Sequence, residues 1–264
     1  ACASDYFVSD LKREGRIEPI TLELIPNYNN LHPLFRQNKE EIFSIPCVWT
    51  LLGIGIDTDI LPLPKKPSWN MLFEETLHKI CVPDDPRNLI TLGAIVLKYP
   101  LQALQKKELS CIMQLLQKQK KIVELYTDTN IALLFANKVV PLAFTSFKTI
   151  ELISEYYPNV KFCLPKEGGI RISQDWIILK NSTNKTIAHE FINFFIDQKV
   201  ARINEENTEF LPTNDIVLSE YWSPAEQKGS CPLPQLDMIQ AANKAAEHLS
   251  PNDLSMLWIT LKST

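Results

Sequence analysis

Leu164-Pro165-Lys166-Glu167-Gly168-Gly169-Ile170-Arg171-Ile172-Ser173-Gln174-Asp175-Trp176-Ile177-Ile178-Leu179 places two of the chain's seven glycines side by side. Adjacent glycines let a backbone take positive φ or approach another segment closely. The residues that follow alternate at first, with Ile170 and Ile172 on one parity, and then run apolar through Trp176-Ile177-Ile178-Leu179. That is the pattern of a loop feeding a buried strand. Taken alone, Pro-Lys-Glu-Gly-Gly is more commonly a plain surface turn, so the surrounding chain has to decide.

The chain has 264 residues, 45% hydrophobic and 22% charged, enough apolar material for one large or two medium domains. Its net charge of −4, from 31 acidic against 27 basic residues, argues against a general nucleic-acid binder. The densest basic run, residues 117–121, reads as a solvated helix end. No apolar run reaches membrane-spanning length. The first residues lack the basic start and apolar core of a signal peptide. They read instead as the middle of a strand-to-helix turn, so an N-terminally incomplete chain is expected.

Six widely spaced cysteines without a CxxC pair make zinc ligation an unattractive reading. Their even number permits disulfides, but a chain of this size does not need them, and buried thiols are expected. The sequence has no Gly-x-Ser-x-Gly, no phosphate-cradling glycine loop and no recognisable pairing of His with Cys or Ser. No enzyme, metal or cofactor is therefore expected. Asp84 and Asp85 are the nearest candidates for acid–base work, and a helix cap explains Asp85 better.

Short strands and helices alternate along the chain, which predicts an α/β fold with mainly parallel sheets. Ser4 or Asp5 can cap a helix running to Arg13, closed by Glu14-Gly15. Residues 27–38 read as an irregular loop with a short helix, with His32 at the surface. Residues 44–56 read as a long strand buried on both faces. Ser68 caps a short helix, residues 80–82 form a strand, and Asp85-Pro86 starts a helix. A helical period covers 101–118, a strand 122–126, a helix 130–137, a strand 139–144, a helix 147–157 and a strand 160–164. Beyond the opening stretch, Ile187, Phe191, Phe194 and Phe195 line one face of a helix, with His189 off that stripe and solvated. Helices are expected to about His248 and again from Asp253.

Several strings then resemble the bacterial periplasmic polyamine-binding proteins of ABC importers, the spermidine/putrescine type. They are Ser4-Asp5-Tyr6-Phe7-Val8 with Lys12-Arg13-Glu14-Gly15; Ser44-Ile45-Pro46 with Trp49 and Gly53-Ile54-Gly55; Ser68-Trp69; Asp84-Asp85-Pro86-Arg87; Pro165-Lys166-Glu167-Gly168-Gly169-Ile170; and Ile192-Asn193-Phe194-Phe195. The resemblance implies a two-lobed periplasmic-binding-protein fold of type II, with a hinge between lobes closing on a ligand. It implies lobe I at 1–55 and 175–218, lobe II at 56–174 and 219–264, and crossings near residues 53–56 and 172–176. It also implies two β-α units ahead of Ser4, absent here, a periplasmic location, an importer permease as partner, and no catalysis.

Ammonium ends need carboxylates, and a methylene spine needs aromatic walls. By resemblance the ligand-binding positions are Ser4, Tyr6, Asp85, Asn88, Phe144, Ile172 and Gln174. Ser4, Tyr6 and Asp85 keep suitable types, and Phe144 stands for a tryptophan. Asn88 replaces an acidic residue, Gln174 an aspartate, Ile172 a tryptophan, and Leu211 a tyrosine. Asp175 is one residue from the expected aspartate, which on a strand points it to the other face. Two lost charge-assisted hydrogen bonds cost roughly 3–6 kcal/mol, or about two to four orders of magnitude in affinity. Two functions are thus expected: a polyamine or related cationic solute binder of altered specificity, or a family member with a degenerate site acting as an interaction protein or binding a different solute.

Overall fold

In the computed structural model, which describes residues 1–37, 41–75, 79–101, 104–222, 239–241 and 249–263, the chain divides into two units. One is Ala1–Thr50 with Ile172–Leu236, the other Leu51–Arg171 with Asp237–Thr264. The first opens with β1 (Cys2–Ser4) and α1 (Asp5–Arg13), then β2 (Ile17–Glu18). Short 3-10 turns at Leu22–Leu24, Pro26–Asn30 and Pro33–Phe35 occupy the segment expected to be irregular. His32 is not a solvated surface residue. Its Nδ1 accepts the Leu34 N–H (3.1 Å) and so caps the third turn, and its side chain is only 15% exposed.

β3 (Ser44–Asp57) starts in the first unit and enters the second after Thr50. The second unit continues with a 3-10 turn at Trp69–Phe73, β4 (Ile80–Val82), α2 (Pro86–Val96), α3 (Lys106–Gln119), β5 (Val123–Tyr126), α4 (Ile131–Ala136), β6 (Leu142–Ser146), α5 (Phe147–Tyr156) and β7 (Val160–Cys163). β8 (Gly169–Leu179) returns the chain to the first unit between Arg171 and Ile172. There follow α6 (Lys185–Phe195), α7 (Gln198–Asn207), β9 (Leu211–Pro212) and α8 (Asp215–Ser219). β10 (Ile239–Ala241) and α9 (Pro251–Ser263) belong to the second unit.

The strand pairings are not mainly parallel. β1 and β2 run antiparallel to β8, and β9 antiparallel to β3, in the first unit. In the second, β6 and β7 run antiparallel to the end of β3, while β4 lies parallel to β5 and β6, and β10 parallel to β8. The parallel pairs within the second unit's β4–β5–β6 group are joined through helices. The long strands β3 and β8 meet most of their neighbours head to tail, which alternation along a sequence does not reveal.

Glycine is required within β3 by close approach. A Cβ at Gly53 would lie 2.3 Å from the Phe162 ring and 3.0 Å from the Cys163 carbonyl. The two glycines of the opening stretch divide the two glycine roles between them. Gly168 has φ +99° and closes a turn with its N–H donating to the Pro165 carbonyl (2.9 Å). Gly169 has no room for a Cβ, which would sit 2.7 Å from the side chains of Leu164 and Leu51.

Helix α6 departs from expectation. Ile187, Phe191 and Phe194 are 62%, 46% and 59% exposed, whereas His189 and Ile192 are 6% and 2% exposed. The first unit's core, built from Ile20, Ile25, Leu31, Ile42, Ile45 and Ile178, accepts Ile192 and Ile196. The aromatic stripe gathers instead around the half-buried Trp176, whose ring centroid is 4.9 Å from Phe191 and 5.2 Å from Phe195. His189 is accordingly a buried structural residue: Nε2 accepts the Thr21 N–H (3.0 Å), which assigns the proton to Nδ1, donating to the Lys185 carbonyl (2.7 Å).

Helix α3 begins later than the period from Leu101 implies, because Gln105 and Glu108 form a capping box there. Of the tail helix expected to His248, residues 239–241 are strand and the remainder lies outside the described residues, as does Cys231. The other five cysteines are free thiols, three of them buried; Cys2 is exposed and Cys111 half-buried, against the expectation for both.

Candidate functional site

β8 carries candidate residues of the first unit by alternation. Ile172, Gln174 and Trp176 lie on a half-exposed face, and Ser173, Asp175 and Ile177 on a buried one. Ser4 sits opposite Gln174 in the β1–β8 ladder. Its hydroxyl does not cap α1; it accepts the Gln174 Nε2–H at 2.9 Å. Tyr6, on the first turn of α1, packs its ring 4.5 Å from Phe7. Ser4, Gln174, Ile172 and Tyr6 are thus placed on neighbouring elements of one unit.

Asp175 faces the other way. Its carboxylate accepts from Ser44 Oγ (2.6 Å) and Ser173 Oγ (2.8 Å) and is 3% exposed. It is committed to the interior and offers nothing to a ligand. Leu211, which stands in place of the resemblance's tyrosine, is fully buried on β9, paired with Trp49 of β3.

The second unit contributes a different chemistry. β4 and β5 are parallel neighbours, and the turns at their carboxyl ends carry Asp84, Asp85 and Asp128. Ligands of open α/β sheets bind beyond such strand ends. The Asp84 N–H donates to Asp128 Oδ2 (3.2 Å), tying the two turns together. Asp85 is the N-cap of α2, its Oδ1 accepting the Arg87 N–H at 2.8 Å. Burial pushes the Asp85 carboxyl above its ordinary range, against the opposing pull of the Arg87 and Asn88 backbone and the Arg87 charge. Burial pushes Asp128 up as well, and the Asp85 and Asp84 charges add to it. A carboxylate in that condition gains from an arriving cation.

Asn88 and Phe144 are less available. Asn88, on the first turn of α2, is 6% exposed. Phe144 has no exposed surface in this conformation; its ring is enclosed edge-on against Trp69 at 5.0 Å, so it backs the site rather than presenting a wall. Trp69 is itself held by the glycine loop. Its indole N–H donates to the Gly168 carbonyl (2.8 Å) and its backbone N–H to Glu167 Oε2 (3.2 Å), while Ser68 Oγ donates to Glu167 Oε1 (2.6 Å). Two strings 99 residues apart therefore form one local structure, a role for Glu167 that its position in a Pro-Lys-Glu-Gly-Gly turn does not announce.

Residues 1–229 match the family model described as bacterial extracellular solute-binding protein. The chain belongs to that family. The spermidine/putrescine-binding periplasmic protein of Salmonella typhimurium is 26% identical over 227 residues, 84% of this chain and 64% of that protein. The protein of the same name from Escherichia coli is 25% identical over 243 residues, 90% of this chain and 69% of the relative. The chain thus spans about two thirds of the length of these relatives.

Among solved structures, a putative spermidine/putrescine ABC transporter protein from Listeria monocytogenes superposes with a TM-score of 0.81 at 25% identity, over 99% of this chain and 83% of that one. A GABA receptor, Atu4243, gives 0.80 at 16% identity, over 99% and 80%. The chain has the two-lobed periplasmic-binding-protein fold, and its relatives are solute-binding proteins rather than enzymes. No helix among the described residues is long and apolar enough to cross a membrane.

Proposed function

We propose that the protein is the extracytoplasmic solute-binding component of an ABC importer and takes a small cationic amine of the putrescine or spermidine class. The observation that carries the reading is the cluster of Asp84, Asp85 and Asp128 in the turns that follow β4 and β5, tied together by the Asp84 N–H on Asp128, where burial pushes the Asp85 and Asp128 carboxyls upward. An ammonium group supplies positive charge and the hydrogen bonds a carboxylate accepts. Ser4, Tyr6, Ile172 and Gln174 of the first unit and Asp85 of the second are the proposed ligand contacts, with the buried Asn88 and Phe144 in supporting positions. Likeness to periplasmic spermidine/putrescine-binding proteins along most of the chain supports the solute class, the periplasmic location and a permease as partner.

With Gln174 neutral and Ile172 aliphatic, the site holds a diamine more weakly than one that presents an aspartate and an indole there. Isothermal titration calorimetry with putrescine, spermidine and spermine is the test. Saturable heat with at least one, abolished by Asp85→Ala, is expected. No heat and no thermal shift with any of the three would overturn the amine class and leave the family's non-amine solutes, or an interaction role, in its place.

A further inference from the structure

The end of α9 builds a second arrangement of the same chemistry, and it is already filled. Lys262 Nζ lies 4.4 Å from the ring centroid of Trp258 and 5.5 Å from that of Tyr126, and donates to Asp84 Oδ1 at 2.5 Å. The two rings stand perpendicular, 89° apart with centroids at 5.3 Å. An ammonium is therefore walled by two aromatic rings and closed by a carboxylate, the combination that recognises alkylammonium ions.

A lysine near a helix C-terminus is usually explained by the helix dipole. That explanation accounts for the position of Lys262 but not for the convergence on it of an aromatic from β5 and an aspartate from the turn after β4. Nor is Lys262 needed to hold α9 down. α9 lies against α2 and α3, where Leu257 and Leu261 line one small apolar space together with Leu89, Ile90 and Leu116. Lys120 Nζ also donates to the Lys262 carbonyl (2.8 Å).

We infer that Asp84, Tyr126 and Trp258 form a receptacle for a primary alkylammonium group, adjoining Asp85 of the proposed solute site and sharing the aspartate cluster with it, and that Lys262 occupies it as a tethered competitor. The side chains of Lys262 and Asp84 are 39% and 46% exposed, so an external amine reaches the receptacle without the helix unfolding. When Lys262 swings out, the receptacle accepts one end of a free amine. Because a tethered group competes at an effective concentration in the millimolar range, weak amines are excluded until that concentration is matched.

The test replaces the charge and keeps the stem. Lys262→Met, with Lys262→Gln as a second variant in case the first perturbs folding, is titrated with n-butylammonium chloride against sodium chloride at equal ionic strength, reading tryptophan fluorescence. A saturable change is expected in the variants at roughly tenfold lower amine concentration than in the unaltered protein. The change should vanish when Asp84→Asn or Tyr126→Leu is added, each of which keeps every tryptophan. Equal response in altered and unaltered protein, no saturable response in either variant, or a response indifferent to Asp84→Asn overturns the inference. Tyr126 is not among the proposed solute residues, so loss of the response on Tyr126→Leu separates binding here from binding of the same amine at Asp85.

Discussion

Gly53→Ala is the substitution for which the structure specifies a cost and its mechanism. The new methyl would lie 2.3 Å from Phe162 Cζ, 2.7 Å from Cε2 and 3.0 Å from the Cys163 carbonyl oxygen. Ordinary carbon contacts are about 3.5–4.0 Å, so the ring must retreat by more than about 1 Å. It has little freedom to do so: Phe162 is 4% exposed and packs edge-on against Phe147 at 5.4 Å. Overpacking of this kind costs about 1–3 kcal/mol, and the loss of glycine's unfolded-state entropy returns about 0.4–1 kcal/mol. The difference is a net destabilisation of up to about 2.6 kcal/mol, about 1.3 kcal/mol at mid-range. Denaturant unfolding of Gly53→Ala, Phe162→Leu and the double variant forms a cycle that isolates the clash. The shorter leucine side chain removes the ring atoms that the new methyl would strike, so the glycine substitution should cost at least about 1 kcal/mol less in the Phe162→Leu background. Additive effects, or no cost of Gly53→Ala in either background, would refute the close-approach argument for this strand.

Gln174→Asp should raise affinity for putrescine or spermidine by about ten- to a hundredfold, the value of one charge-assisted hydrogen bond, with Ser4 turning from acceptor to donor; calorimetry on the two proteins measures it, and unchanged affinity would remove Gln174 from the site. Asp85→Asn retains the cap but removes a carboxylate whose raised pKa makes ionised Asp85 a cost to the fold. The native protein should therefore gain stability relative to this variant as pH falls from neutral toward the ordinary aspartate value of 3.8, and a pH series of thermal melts showing the opposite slope would contradict the burial argument. Glu167→Ala leaves the Ser68 hydroxyl and the Trp69 N–H without their acceptor, at a cost of about 1–3 kcal/mol by chemical denaturation. A neutral result would mean water replaces the carboxylate there.

Local signals carry much of the fold. Asp85-Pro86 starts α2 with the side-chain cap its residue types imply, because capping needs only neighbours in sequence. The adjacent glycines announce positive φ or close approach, and the structure uses one for each purpose. Information held by distant partners is what the sequence hides. The stripe of Ile187, Phe191 and Phe194 has a helical period, but period does not say which face finds the core, and an isoleucine cluster drawn from residues 20–45 and 178 chooses the other. The burial of His189 is hidden for the same reason, since its partner Thr21 lies 168 residues away. At the candidate site, the cap made by Asp85 is legible because it needs only neighbours in sequence, whereas the bond of Ser4 to Gln174, 170 residues away, and the burial of Phe144 against Trp69 depend on distant partners. Asp84, Tyr126 and Trp258 come from three elements with no common motif, so only their meeting at Lys262 marks them.

The alternation along β8 has an evolutionary consequence. Residues 173, 175 and 177 are buried and hydrogen-bonded or packed inside, whereas 172, 174 and 176 stand on the half-exposed face. The strand is written on two independent registers, one held by packing and one open to drift. On the proposed reading of the site, changes at 172 and 174 would alter the solute contacts without touching the Ser44–Asp175–Ser173 network. A library confined to residues 172 and 174 would therefore sample surface chemistry in folded proteins, while the same diversity placed at 173 and 175 would chiefly sample unfolded ones.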